Sequence, residues 1–235
     1  VNLFAWLRPP APSLNPAQQL AVQRLRRPAV LGDCSLRQQR WVVLDLETTG
    51  LNVNRDQVLA IGAVVIEDGA IDLSQQFECT LHRPGHKTGP SVLLHGLGPD
   101  AIAAGRNPVD GLLDFMDFVG ESPVLAFHAP FDQRMLTRTL KDTLGYRLQH
   151  SFIDAAELAP LLNPQTVLRE ASLDDWIAHF GLQVDERHNA SADAYVTAQL
   201  ALILLSQARR LGLDSPALLM ERLSQWRRRQ AMPGL

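Results

Sequence analysis

An α/β fold with a mixed central sheet flanked by helices is predicted by two features of this 235-residue chain. Two long apolar runs, 41–46 and 57–67, are followed by an Asp68-Gly69 turn signal and a third extended segment, 70–81, which together read as strands with an antiparallel hairpin. From about residue 109 onward, segments with apolar residues at helical spacing alternate with short apolar stretches, the pattern of helices layered on a sheet.

The elements follow in order. Pro9, Pro10, Pro12 and Pro16 oppose a continuous helix at the start, whereas 17–27 predicts a short helix stopped at Pro28. Residues 30–40 read as a connector. After the three strands, 83–108 is rich in Gly and Pro and predicts only short helices. Leu112, Leu113, Phe115, Met116 and Val119 predict a helix over 109–119, and 123–127 predicts a short strand. A helix over 131–144 turns Phe131, Met135, Leu136 and Leu140 inward; 150–153 predicts a short strand leading into a helix over 154–162. Ser172-Leu173-Asp174-Asp175 resembles a capping box, so a helix over 172–180 ends at Gly181. A long helix over 189–210 ends near Gly212, and a last one covers 215–229. The chain divides into an N-terminal helical and proline-rich extension (1–40), a central domain (41–208) and a basic helical extension (209–235).

Charge is segregated along these parts. The net charge is -3, yet 41–208 holds 10 basic and 22 acidic residues, while six arginines face one acid in 1–40 and six face two in 209–235. Such an acidic centre suits cation binding, and basic ends suit either a polyanion or solvated helix faces. No run approaches the roughly 18 apolar residues of a membrane span. The first residues carry no basic-then-apolar leader pattern, and Cys34 and Cys79 lack metal-site spacing, so free thiols and a cytoplasmic setting are expected. There is no internal repeat and no Gly-rich phosphate loop.

Trp41-Val42-Val43-Leu44-Asp45-Leu46-Glu47-Thr48-Thr49-Gly50 carries the most information. On a strand, residues two apart share a face, so Asp45 and Glu47 project together from a buried element. Two like charges there are costly without a counter-charge, and a divalent cation is the simplest one. Asp132 falls at the first turn of a helix just past a strand end, a usual place for site residues in α/β sheets. Asp193 lies in the long helix among Ala190, Ala192, Ala194 and Ala198, small residues that permit close approach to the sheet; His188 precedes it at the helix entry.

Three motifs make this set resemble a known family. Asp45-Leu46-Glu47-Thr48-Thr49-Gly50-Leu51, Ala126-Phe127-His128-Ala129-Pro130-Phe131-Asp132 and Arg187-His188-Asn189-Ala190-Ser191-Ala192-Asp193-Ala194 resemble the motifs of the DnaQ-like 3′–5′ exonucleases. This is the proofreading group of the DNA polymerase III epsilon subunit, and the position of His188 resembles its histidine branch. His95-Gly96-Leu97 and Asp154 resemble two further family segments. One departure stands out: His128 occupies the position of an asparagine in the family's middle motif.

The resemblance implies a ribonuclease H-like exonuclease fold and a two-metal phosphodiesterase that releases nucleoside 5′-monophosphates from single-stranded or frayed DNA 3′ ends, in proofreading or repair. It implies that Asp45, Glu47, Asp132 and Asp193 hold two Mg²⁺ or Mn²⁺ ions, with Asp45 shared, and that His188 is the general base. Thr48, Leu51 and His128 are expected at the substrate, with His95 and Asp154 as secondary candidates. An RNA-trimming enzyme of the same superfamily and a catalytically weak nucleic-acid-binding or polymerase-partner module are the alternatives. A polymerase or a second copy is a candidate partner for the terminal extensions; no membrane association is expected.

Overall fold

The computed structural model describes residues 13–83, 96–168, 171–184 and 189–231. Helix α1 (Pro16–Arg24) opens on Asn15, whose side chain accepts from the Gln18 amide while the Gln18 side chain accepts from the Asn15 amide. It stops four residues short of Pro28, because Leu25 turns to an extended backbone (φ −55°, ψ 131°) and packs on the core, so the expected extension to residue 27 is corrected.

Strands β1 (Trp41–Thr48), β2 (Val58–Glu67) and β3 (Ala70–Thr80) form an antiparallel meander. Helices α2 (Pro99–Ala103) and α3 (Pro108–Val119) lead to β4 (Val124–Ala126) and α4 (Ala129–Leu144). Then come β5 (Phe152–Asp154), α5 (Ala155–Leu162), α6 (Leu173–Phe180), α7 (Ala190–Arg210) and α8 (Pro216–Gln230). The five strands lie in the order β3-β2-β1-β4-β5, with β4 parallel to β1 and β5 parallel to β4, so the sheet is mixed as expected.

Both faces are covered, and the period of two decides which residues go where. Val42, Leu44 and Leu46 of β1 pack with α3 and α4; Trp41 and Val43 pack on the opposite side with α5, α6, α7 and α8. Continuing that alternation, Asp45 and Glu47 take positions on the α7 side. The buried stripe of α7 runs Ala190, Asp193, Ala194, Thr197, Ala198, Ala201, Leu204, Leu205, Ala208, so Asp193 occupies a core-facing position one turn into the helix. The carboxylate is thereby carried down onto the sheet rather than out to water.

Described residues on both sides of 41–208 pack on this core. Leu36, Leu219 and Leu223 are buried within the α7-side cluster. Asp214 accepts from the Ser35 hydroxyl at 3.1 Å and the Leu36 amide at 3.2 Å, tying the two outer segments together. No helix among the described residues is long and apolar enough to cross a membrane.

Candidate active site

Asp45, Glu47 and Asp193 converge: one carboxylate oxygen from each lies within 4.8 Å of the others. The cause is the pairing of β1 with β2 and the approach of α7. Asp45 stands opposite Gly62 on β2, and α7 begins directly over Gly62. A Cβ on Gly62 would lie 2.1 Å from the Ala190 carbonyl carbon and 2.3 Å from the Ser191 amide nitrogen, so only hydrogen fits beneath the helix start. The helix start is held by Asn189, which accepts from the amides of Ser191 at 3.0 Å and Ala192 at 3.2 Å. A signal for Gly62 exists in the sequence: a lone glycine inside an otherwise apolar strand marks close approach of another backbone.

Asp132 belongs to the same region and is not a member of that trio. It is 4% exposed in the first turn of α4. Burial pushes its carboxyl well above the ordinary carboxylate range; its own amide and that of Leu46 oppose the rise, while the charges of Asp154 and Glu47 reinforce it. Asp154, at the end of β5, caps α5 by accepting from the Ala156 amide at 3.0 Å. Burial raises its carboxyl too; the Ala156 and Ala129 amides and His128 oppose this, and Glu157 adds to it. Buried and half-buried acids therefore press together, and two of them, Asp132 and Asp154, resist ionisation. An all-oxygen, carboxylate-rich donor set of this kind fits a hard divalent cation.

Around the acids, β1 breaks register between Glu47 and Thr48, a bulge that ends regular pairing at the site. The Thr48 hydroxyl donates to the Gly50 carbonyl at 2.8 Å. The β1–β2 connection is braced: Asp56 accepts from the Thr49 hydroxyl at 3.2 Å and the Asn52 amide at 2.8 Å. Arg138 of α4 donates to the carbonyls of Asn54 and Asp56. On this braced loop Leu51 is 84% exposed, an apolar side chain held out in water. Asp56 and Arg138 are not legible in the sequence, since they carry no motif of their own.

His128 is exposed at the N-cap of α4 in the left-handed region, φ 60° and ψ 41°. Asn and His are among the non-glycine residues that enter that region most readily, which accounts for a histidine in place of the family's asparagine. Its ring meets Phe127 edge-on at 4.7 Å. His188 and His95 lie outside the described residues.

Comparison with known proteins identifies the segment that carries these residues. The exonuclease family model matches residues 42–201. PolC-type DNA polymerase III of Thermotoga petrophila is 32% identical over 182 residues, covering 77% of this chain and 13% of that protein. The Bacillus subtilis PolC-type enzyme is 28% identical over 180 residues, covering 76% and 12%. The chain thus spans about an eighth of the length of these relatives. Among solved structures, E. coli exonuclease I in complex with a dT13 oligonucleotide superposes with a TM-score of 0.62 at 18% identity, covering 74% of this chain and 42% of that one. Exonuclease X in complex with 5′ overhanging duplex DNA gives 0.59 at 20% identity, covering 76% and 99%. These two share the ribonuclease H-like fold. Carrying the matched exonuclease segment and the carboxylates its fold brings together, the chain belongs to the DnaQ-like exonuclease family.

Proposed function

We propose that this chain is a metal-dependent 3′–5′ exonuclease that removes nucleoside 5′-monophosphates from single-stranded or frayed DNA 3′ ends, in proofreading or repair in the cytoplasm. The convergence of Asp45, Glu47 and Asp193 carries the reading. Asp45, Glu47, Asp132 and Asp193 are the residues that would hold two Mg²⁺ or Mn²⁺ ions. Bound there, the ions would supply Lewis acidity toward the scissile phosphate and lower the pKa of water.

The chain's own groups do the rest. Asp45 on β1 would be shared between the ions, and Asp193 would complete the set from α7. Asp132, buried beside Glu47, completes the charge balance: four carboxylates match two divalent ions. His188 takes the proton of the attacking water, since an imidazole titrating near pH 6.5 in the unperturbed state suits that role at neutral pH. Leu51 packs against the terminal base, the Thr48 turn borders the terminal sugar, and His128 faces the strand next to the cleaved phosphate.

The test is release of 5′-mononucleotides from single-stranded DNA and RNA with Mg²⁺, with Mn²⁺ and with EDTA. Metal-dependent release from DNA is expected, lost in Asp45→Ala and Asp193→Ala proteins that remain folded. Release from RNA alone would redirect the reading to RNA trimming, and undiminished hydrolysis by Asp45→Ala would overturn it.

A further inference from the structure

A domain of net charge −12 over 41–208 must hold a polyanion if the nuclease reading stands, so the cations near the site matter. Strands β1, β4 and β5 are parallel, which brings their C-terminal ends to one edge of the sheet. Glu47, Asp132 and Asp154 all sit at that edge. Glu157, in the first turn of α5, continues the row: its charge reaches Asp154, and that of Asp154 reaches Asp132. Arg227, near the end of α8, grips Glu157 with both Nε, at 2.8 Å, and Nη2.

The last turn of α8 is thus anchored on the active edge. Buried Leu219 and Leu223 fix the rest of the helix on the core. Arg228 and Arg229 follow Arg227, and all three are exposed. Among the described residues neither Arg228 nor Arg229 has a carboxylate partner; Arg228 reaches only the Ser224 hydroxyl, at 3.4 Å. Arginines in a last turn complement the helix dipole wherever the helix end lies. That effect accounts for their presence in the sequence and does not account for their delivery to this edge by an ion pair.

We propose that Arg228 and Arg229, positioned by the Arg227–Glu157 pair, form a cationic lip that binds backbone phosphates of the single strand whose 3′ end occupies the carboxylate site, a claim that rests on the nuclease reading above. The lip offsets the repulsion between the acidic domain and its substrate. It acts on nucleotides upstream of the scissile bond, so its contribution grows with strand length.

Binding and cleavage are measured separately. Fluorescence anisotropy with a labelled oligothymidine dodecamer, on the 235-residue Asp45→Ala protein with and without Arg228→Gln and Arg229→Gln, reads affinity across a salt series. Loss of two phosphate contacts lowers the slope of log affinity against log salt by about 1.4, at about 0.7 per contact on a single strand. In the cleavage-competent protein, the ratio of kcat/KM for the dodecamer to that for a dinucleotide falls roughly tenfold when both arginines are replaced, consistent with two lost ionic contacts. Damage to the fold lowers both rates and leaves the ratio. Arg227→Gln, which frees the helix end, is expected to reduce the same ratio, and Arg227→Lys to restore part of it. An unchanged slope together with an unchanged ratio overturns the lip, even where the enzyme cleaves DNA. Arginine-dependent binding by a chain that cleaves nothing upholds the lip and sinks the nuclease reading instead.

Discussion

Replacing Gly62 by alanine tests how the site is assembled. The added methyl would sit 2.1 Å from the Ala190 carbonyl carbon, where ordinary contact begins at 3.4 Å. The obstructing atoms are backbone, so no rotamer change relieves the overlap; the start of α7 must lift from β2 by about 1 Å or more. Asp193 rides on that first turn, and its oxygen now lies within 4.8 Å of those of Asp45 and Glu47. A displacement of that size at a catalytic group costs on the order of 100-fold in rate. The assay is single-turnover release of mononucleotides from end-labelled single-stranded DNA, titrated with Mn²⁺, with circular dichroism as the fold check. Expected are a rate at least about 100-fold down and a weakened Mn²⁺ activation. Gly111→Ala is the control: on α3 its methyl would meet side-chain atoms, Leu81 Cδ2 at 2.8 Å and Cys79 Sγ at 3.0 Å, in the core cluster on the face of the sheet opposite α7. It should cost about 1–3 kcal/mol of stability through overpacking and keep its Mn²⁺ dependence below the melting temperature. A folded Gly62→Ala protein with wild-type rate and wild-type Mn²⁺ dependence would show that this glycine does not set the carboxylate geometry.

Three further outcomes are expected. With EDTA present, thermal stability should fall as pH rises, because the buried carboxyl of Asp132 titrates above its unfolded value and favours folding only while protonated. That contribution is full below the unfolded carboxylate pKa and is lost as pH rises through the folded one; a tenfold difference in proton affinity between the two states is worth about 1.4 kcal/mol. Asp132→Asn should flatten that profile, stabilise the metal-free protein above neutrality and abolish hydrolysis; differential scanning calorimetry across pH reads the first two, and an unchanged profile counts against the buried acid. Asp56→Ala, by leaving the Thr49 hydroxyl and Asn52 amide without their acceptor, should loosen the loop that presents Leu51. Faster hydrogen exchange over 50–57 and roughly tenfold lower kcat/KM are expected, the part-buried Thr49 bond and the exposed Asn52 bond being worth about 0.5–1.5 kcal/mol each. His188→Ala should slow cleavage by roughly 100-fold or more with little change in Mn²⁺ binding by calorimetry; full activity would remove it as the base.

The sequence by itself determined the mixed sheet and the place of most helices within a residue or two, because period-two and helical spacing are local properties that pairing later uses unchanged. It also put Asp45 and Glu47 on one face, since alternation along β1 is a backbone constraint. The DnaQ-like motifs make the remaining acids legible as a set. What the tertiary structure decided was which of them meet. Asp193 joins Asp45 and Glu47 because glycine at position 62 lets α7 descend onto β2; the lone glycine signals that some backbone approaches, and only the packing decides that it is the start of α7. The motifs present Asp132 as an equal fourth member, yet it stands in a drier setting, with the charge of Asp154 adding to the effect of burial, because burial depends on how α4 and β5 close over the strand ends. The same holds for the arginines of α8: composition reveals a basic end, and only the packing of the helix pairs Arg227 with Glu157. Local rules fix periodicity and backbone preference, whereas proximity, desolvation and the direction of a helix end are long-range outcomes of packing.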